Sequence, residues 1–262
     1  MKRFAVIPVL AAALSGCAGF NLFSTDDAAN VKYADTAEAN LEKGNAALNN
    51  KSYLEAQRYF DFVKSKYPYL EVAKTAELRL ADTDFEREKF IEARDRYNNF
   101  VKLHPTHPKV DYAAYRSALT HYKEMPSDFF LLPPSDEKDQ GALKAAAISL
   151  NDFIRTYSGS EWQGEAKKTL ADVRRRLADH ELYVASFYEK RGRWPAVINR
   201  LNTIAHDYPD LGLDEKVYFG LYDAYSKLKD PDKANEALRT LIAKAPSSQG
   251  AKRAQSVLSN GK

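Results

Sequence analysis

Apolar residues recur at helical spacing along most of the chain, and Pro or turn residues interrupt them at regular places. Over residues 52–68, Tyr53, Ala56, Phe60 and Val63 fall on one helical face. Ser52 and Glu55 have the spacing of a capping box, and Pro68 ends the helix. Phe90, Ala93, Tyr97, Phe100 and Pro105 each lie 37 residues after Tyr53, Ala56, Phe60, Val63 and Pro68. A repeat of this length predicts stacked helical hairpins, not one closed core.

The rest of the chain fits that frame. Asp35 and Glu38 form a second capping box that opens a helix to about Leu48. Gly44 lies on its inner face, where a missing side chain admits the partner helix. Pro108 suits the first turn of a helix carrying Tyr112, Tyr115, Ala118, Leu119 and Tyr122. Residues 125–141, with Phe129 to Leu132 flanked by prolines, break the pattern as a long loop. Such a loop is either functional or tucked back onto the array. Helix resumes from about Ala142 to Tyr157. Residues 161–191 then predict a helix of about 30 residues, some 45 Å long, bridging the two halves. Trp194, Val197, Leu201, Ile204 and Pro209 repeat the second-helix pattern, and Ala234, Leu238, Leu241 and Pro246 repeat it again. Asp214 caps the intervening helix, Asp230-Pro231 opens the next, and residues 249–258 form a terminal capping helix.

The skeleton resembles a tetratricopeptide repeat. Gly44, Tyr53, Ala56, Phe60 and Pro68 match its packing positions, as do Leu80-Ala81, Phe90, Ala93, Tyr97 and Pro105. The early Trp of that pattern is absent from both units. The fold class is therefore all-α, a solenoid of five hairpins with a capping helix. Residues 34–158 hold repeats one to three, and residues 159–262 hold repeats four and five.

Composition changes the picture mainly at the N-terminus. Lys2 and Arg3 precede an apolar run from Phe4 to Leu14, then Leu14-Ser15-Gly16-Cys17. The run is a secretory signal, too short to span a bilayer. It covers residues 1–16, and its last residues with Cys17 resemble the lipobox of bacterial lipoproteins. That resemblance implies lipidation of Cys17, the one cysteine in the chain. Ala18 after it implies sorting to the outer membrane. Residues 17–33 read as a lipidated polar tether. Net charge is +3 from 39 basic and 36 acidic residues; without Lys2 and Arg3 the balance is 37 to 36. So even a balance gives no reason to expect a nucleic-acid partner.

Catalytic motifs are missing: there is no G-x-S-x-G, P-loop, H-E-x-x-H or G-x-G-x-x-G. His104 and His107 straddle Pro105 with Asp111 near, which admits a metal site or plain turn chemistry, the latter fitting better. The carboxylates are scattered beside Lys and Arg, as on solvated helix faces. Lys167, Lys168, Arg174, Arg175 and Arg176 alternate with Glu165, Asp172 and Asp179, which reads as a charged face and not a phosphate track.

Two segments sharpen the family resemblance. Residues 103–112, Leu-His-Pro-Thr-His-Pro-Lys-Val-Asp-Tyr, resemble the joint between repeats two and three of the BamD family, lipoproteins of the outer-membrane β-barrel assembly machine. Residues 183–201, through Asp207-Tyr-Pro-Asp210, resemble that family's fourth repeat, and Lys66-Tyr67-Pro68 fits the end of its first. The resemblance implies a scaffold without enzymatic activity or cofactor, apart from the lipid on Cys17, at the periplasmic face of the outer membrane. It implies binding of a BamA-type barrel protein through a periplasmic POTRA domain, with Tyr188, Arg191, Trp194, Arg200 and Asp207 as candidate contacts. For Trp194 core packing competes with that role, and for Arg200 a surface ion pair does. It further implies other assembly-machine lipoproteins as partners. Unfolded outer-membrane proteins would be clients at Lys66, Tyr67 and Tyr69. Tyr69 stands where the family carries Phe, and Leu70-Glu71-Val72 replaces its Gly-Pro. The rival readings are a periplasmic repeat scaffold for cell-wall enzymes and a lipoprotein hydrolase with a cryptic site.

Overall fold

The computed structural model describes residues 31–125 and 140–260. The signal segment, Cys17, most of the tether and residues 126–139 of the long loop, including Phe129 to Leu132, lie outside the described residues. Among the described residues there are eleven helices and no strand. The N-terminal hairpins are α1 (Ala37–Asn49) with α2 (Tyr53–Lys66), α3 (Glu71–Glu86) with α4 (Phe90–Leu103), and α5 (Val110–Lys123) with α6 (Gly141–Thr156). The C-terminal ones are α7 (Gln163–Glu189) with α8 (Trp194–Asp207) and α9 (Asp214–Lys227) with α10 (Pro231–Lys244); α11 (Gln249–Asn260) closes the stack. Each helix packs on the next in sequence, and α1 also touches α3. The chain thus reverses with every helix, but the long α7 offsets the two halves: Tyr122 near the end of α5 reaches Asp172, and Arg174, in the same turn of α7, reaches Asp210 between α8 and α9.

The core follows the 37-residue register. Phe60 and Tyr97 have no exposed surface, nor does their counterpart Leu238, and Leu201 is 4% exposed. Full burial of such a side chain contributes roughly 1.5–3 kcal/mol before entropy is counted. Gly44 faces Phe60: a Cβ there would stand 2.5 Å from the ring. The 27-residue α7 joins two cores. Its Ala166 and Val173 pack with α5 and α6, and its Ala178 and Ala185 pack with α8 and α9.

Turn chemistry differs from the sequence-based expectation in four places. Thr36, not Asp35, caps α1, its hydroxyl accepting from the Ala39 N–H. Ser52 precedes α2 but its side chain makes no cap bond. Pro108 lies ahead of α5, whose N-cap position is Lys109. Asp214 is the first residue of α9, with Leu213 before it, and its carboxylate caps nothing. Only the Asp230 cap forms as expected, on the Lys233 N–H.

The turns within hairpins share a backbone device at the other helix end, the C-terminus of the first helix. Lys51, Glu88, Gly192 and Lys229 all adopt left-handed φ, at 61°, 60°, 65° and 59°. The N–H of the following residue in each turn reaches back to a helical carbonyl: Ser52 to Ala47, Lys89 to Asp84, Arg193 to Tyr188, Asp230 to Tyr225. This is the Schellman closure, which satisfies the last carbonyls of the first helix. Three of the four positions carry a side chain, where glycine would be relaxed.

Candidate binding surfaces

The first surface lies over the odd-numbered helices of the N-terminal half. Leu48 and Asn49 of α1, Arg79, Asp82 and Glu86 of α3, and Tyr112 and Arg116 of α5 line a cavity of about 320 Å³, with Lys51 and Tyr53 at its rim. Its floor is a polar network. Asp82, 3% exposed, accepts from the Tyr97 hydroxyl at 2.6 Å, the Tyr112 hydroxyl at 2.9 Å and Arg79 at 2.8 Å. Arg116 donates to Tyr97 and Glu86 and stacks on Phe85. Burial, and then the Asp82 charge, push the Tyr97 and Tyr112 phenols well above their ordinary range. Asp84, also buried, takes Gln57 and Arg96. Asp82 and Asp84 are therefore not the solvated carboxylates that sequence spacing suggests. The hint available in sequence is the Arg79–Asp82 spacing of three, which puts both side chains on one helix face.

At the end of α2 the expected client residues separate. The Tyr67 hydroxyl donates to the Asp35 carbonyl, and its ring meets Phe62 edge-on. The Lys66 ammonium lies over the same Phe62 ring. Tyr69 is 98% exposed. Leu70 and, at the next turn on that edge, Leu103 are also exposed.

In the C-terminal half, Tyr188, Arg191 and Trp194 gather around the α7–α8 turn. Trp194 and Tyr188 are half-buried against the core. Arg191 lies on the Phe187 ring and donates to the Phe187 carbonyl. Arg200 sits farther along α8 and reaches back to Glu181 of α7 at 3.0 Å, with 40% of its side chain exposed. Asp207 ends α8, about 20 Å along the axis from the turn, beside His206.

The His-Pro-Thr-His segment is a structural turn. His104 contacts Glu77 at 2.8 Å, and His107 Nδ1 accepts from the Lys109 N–H. Both rings stand edge-on to Phe100. Burial pulls the His107 imidazole below its ordinary value. Asp111 points elsewhere, accepting from Ser160. No group of three metal-ligating side chains occurs among the described residues. On α7, Arg174 pairs with Asp210, Arg175 with Asp179 and Arg176 with Asp172.

The family model described as YfiO, outer membrane lipoprotein, matches residues 33–241. This chain belongs to that family. The match takes in both surfaces and the first ten helices, apart from the end of α10. Among the relatives, the outer membrane protein assembly factor BamD of Neisseria meningitidis serogroup B is 28% identical over 95% of this chain and 93% of its own. The protein of the same name from Pasteurella multocida is 26% identical over 89% and 87%. Among solved structures, the complex of the yeast Sti1 TPR2AB domain with pHSP90 is 15% identical, covering 85% of this chain and 84% of that one, at a TM-score of 0.42. No described helix is long and apolar enough to cross a membrane.

Proposed function

We propose that this chain is a non-enzymatic scaffold of outer-membrane protein assembly. It is held by a lipid on Cys17 at the periplasmic face of the outer membrane of a Gram-negative bacterium. Its C-terminal repeats bind the periplasmic part of a BamA-type barrel protein. Its N-terminal repeats receive unfolded barrel proteins before they fold and insert, alongside other lipoproteins of the same machine. The observation that carries this is the family match across nearly the whole repeat body, in relatives named as assembly factors.

The geometry supports a division of labour. Around the α7–α8 turn Arg191 stands beside half-buried Tyr188 and Trp194, with Arg200 farther along α8, the residue types favoured as interface anchors. In the N-terminal half an extended segment finds exposed Tyr69 and Leu70 on one edge and a polar cavity on the inner face. Apolar side chains and a few placed polar groups together are what a binding site needs.

Pull-down of the full chain from detergent-solubilised envelope tests the reading. Recovery of a barrel-forming outer-membrane protein with a periplasmic domain is the expected result. Recovery of cell-wall enzymes alone would refute it.

A further inference from the structure

The repeat register makes α7 too long for one hairpin. Trp194 stands 141 residues after Tyr53, and the same shift carries α1, residues 37–49, to residues 178–190. Residues 163–177 of α7 are therefore surplus to the fourth hairpin, a rod of about 22 Å. Their Ala166, Val173 and Leu177 are buried in the core of the third hairpin. The main helix pair packed across the boundary between the halves is α6 with α7. Halves joined by so little packing move relative to one another by default, and a long helix curves and does not by itself fix an angle.

The α8–α9 turn, residues 208–213, folds back onto the surplus stretch. Arg174 donates to both carboxylate oxygens of Asp210, one of them at 2.6 Å, and to the Asp207 carbonyl at 3.2 Å. Arg175 donates to the Leu211 carbonyl at 3.4 Å. Among the described half-buried apolar side chains, Tyr208 alone packs against both the third-hairpin core and the C-terminal core. From the N-terminal half, the Tyr122 hydroxyl donates to Asp172 at 2.8 Å, and Arg176 of α7 reaches the same carboxylate. One stretch of α7, residues 172–176, is thus gripped from both halves.

We propose that the α8–α9 turn is a wedge that sets the angle between the two halves. Tyr208 fills the inside of the elbow, and the Arg174–Asp210 pair latches the turn to α7. A bidentate Arg–carboxylate pair fixes direction as well as distance. The latch side chains are 27% and 58% exposed, so they can part without opening either core. A fixed angle keeps the client surface of the first three hairpins in constant register with the partner surface of the fourth. This last step rests on the proposed division of labour between the halves.

The test measures distances between spin labels by pulsed electron resonance in the full-length chain carrying Cys17→Ser. Cysteines replacing exposed Asp95 of α4 and Arg239 of α10 report across the elbow. Labels at Asp61 and Asp95 report within the N-terminal half, and labels at Asn199 and Arg239 within the C-terminal half. With the latch intact, the distance across the elbow is narrow. Arg174→Gln with Arg175→Gln broadens it about twofold and leaves both within-half distances sharp. Arg174→Asp with Asp210→Arg re-forms the pair and restores the narrow distance. A distribution across the elbow that ignores Arg174→Gln with Arg175→Gln would overturn the inference, as would equal broadening within the halves. In cells, the chain carrying those two substitutions still recovers the barrel-forming partner but yields folded outer-membrane protein several-fold more slowly. An unchanged rate would overturn the link to client transfer. The distances are read on the chain alone, so this result and the pull-down can fail independently.

Discussion

Asp82 shows how one residue can hold three helices and still escape notice in the sequence. Its carboxylate is shared by Arg79 of its own helix, Tyr97 of α4 and Tyr112 of α5. Tyr97→Phe removes one donor to Asp82 and the acceptor for Arg116, and should cost about 1–2 kcal/mol in urea unfolding. Asp82→Leu strands Arg79 and two hydroxyls together and should cost about 3 kcal/mol or more. A loss below that of Tyr97→Phe would mean that the network is not cooperative. The phenols also predict a pH response. Tyr97 and Tyr112 are held protonated in the fold, above the unfolded value of 10.0. Below pH 10 both states are neutral and stability is unaffected by these groups. Above it the unfolded chain releases protons that the fold retains, so stability falls as pH rises, by about 1.4 kcal/mol per pH unit per tyrosine. Alkaline unfolding followed by circular dichroism should shift upward in the double variant Tyr97→Phe/Tyr112→Phe relative to its own neutral-pH stability. An unchanged slope contradicts this. Sequence pattern places Asp82 on a helix, but burial depends on two hydroxyls that arrive from other helices, one from α4 of the same hairpin and one from α5 of the next. No local spacing encodes that.

At the scale of the helix and its turn, the second helices were legible nearly to the residue. The apolar face, the early small residue and the final Pro all act locally, and α2 and α4 repeat with the spacing of Ala56 and Ala93. The cap residues were less so, because Asp35 and Thr36 are adjacent and either could reach the same N–H groups. The left-handed positions were missed where Lys or Glu occupies them, since the usual signal there is glycine. Lys51→Gly, Glu88→Gly and Lys229→Gly should each raise thermal stability. Gly192→Ala should lower it, with effects near 1 kcal/mol. Opposite signs would show that the turns are not strained. Gly44→Ala drives a Cβ into the Phe60 ring and should cost about 1–3 kcal/mol, relieved in part by Phe60→Leu.

For the whole molecule, a five-hairpin solenoid and its bridging α7 follow from periodicity, while the surfaces follow from which edge or face each turn ends on. That sorting brings Tyr188, Arg191 and Trp194 to one turn and puts Asp207 at the other end of α8. Arg200 lies between them, tied to Glu181. Arg200→Glu should weaken association with the barrel-forming partner at least tenfold in pull-down, a loss of about 1.4 kcal/mol, with helical content unchanged. Glu181→Ala breaks the same ion pair but keeps the guanidinium, and should leave binding near the starting level. The most direct measurement is a photo-reactive residue at position 200 in whole cells. The account predicts an adduct with the periplasmic part of a barrel-forming outer-membrane protein. Adducts only with cell-wall enzymes, or none with any barrel protein, would contradict it.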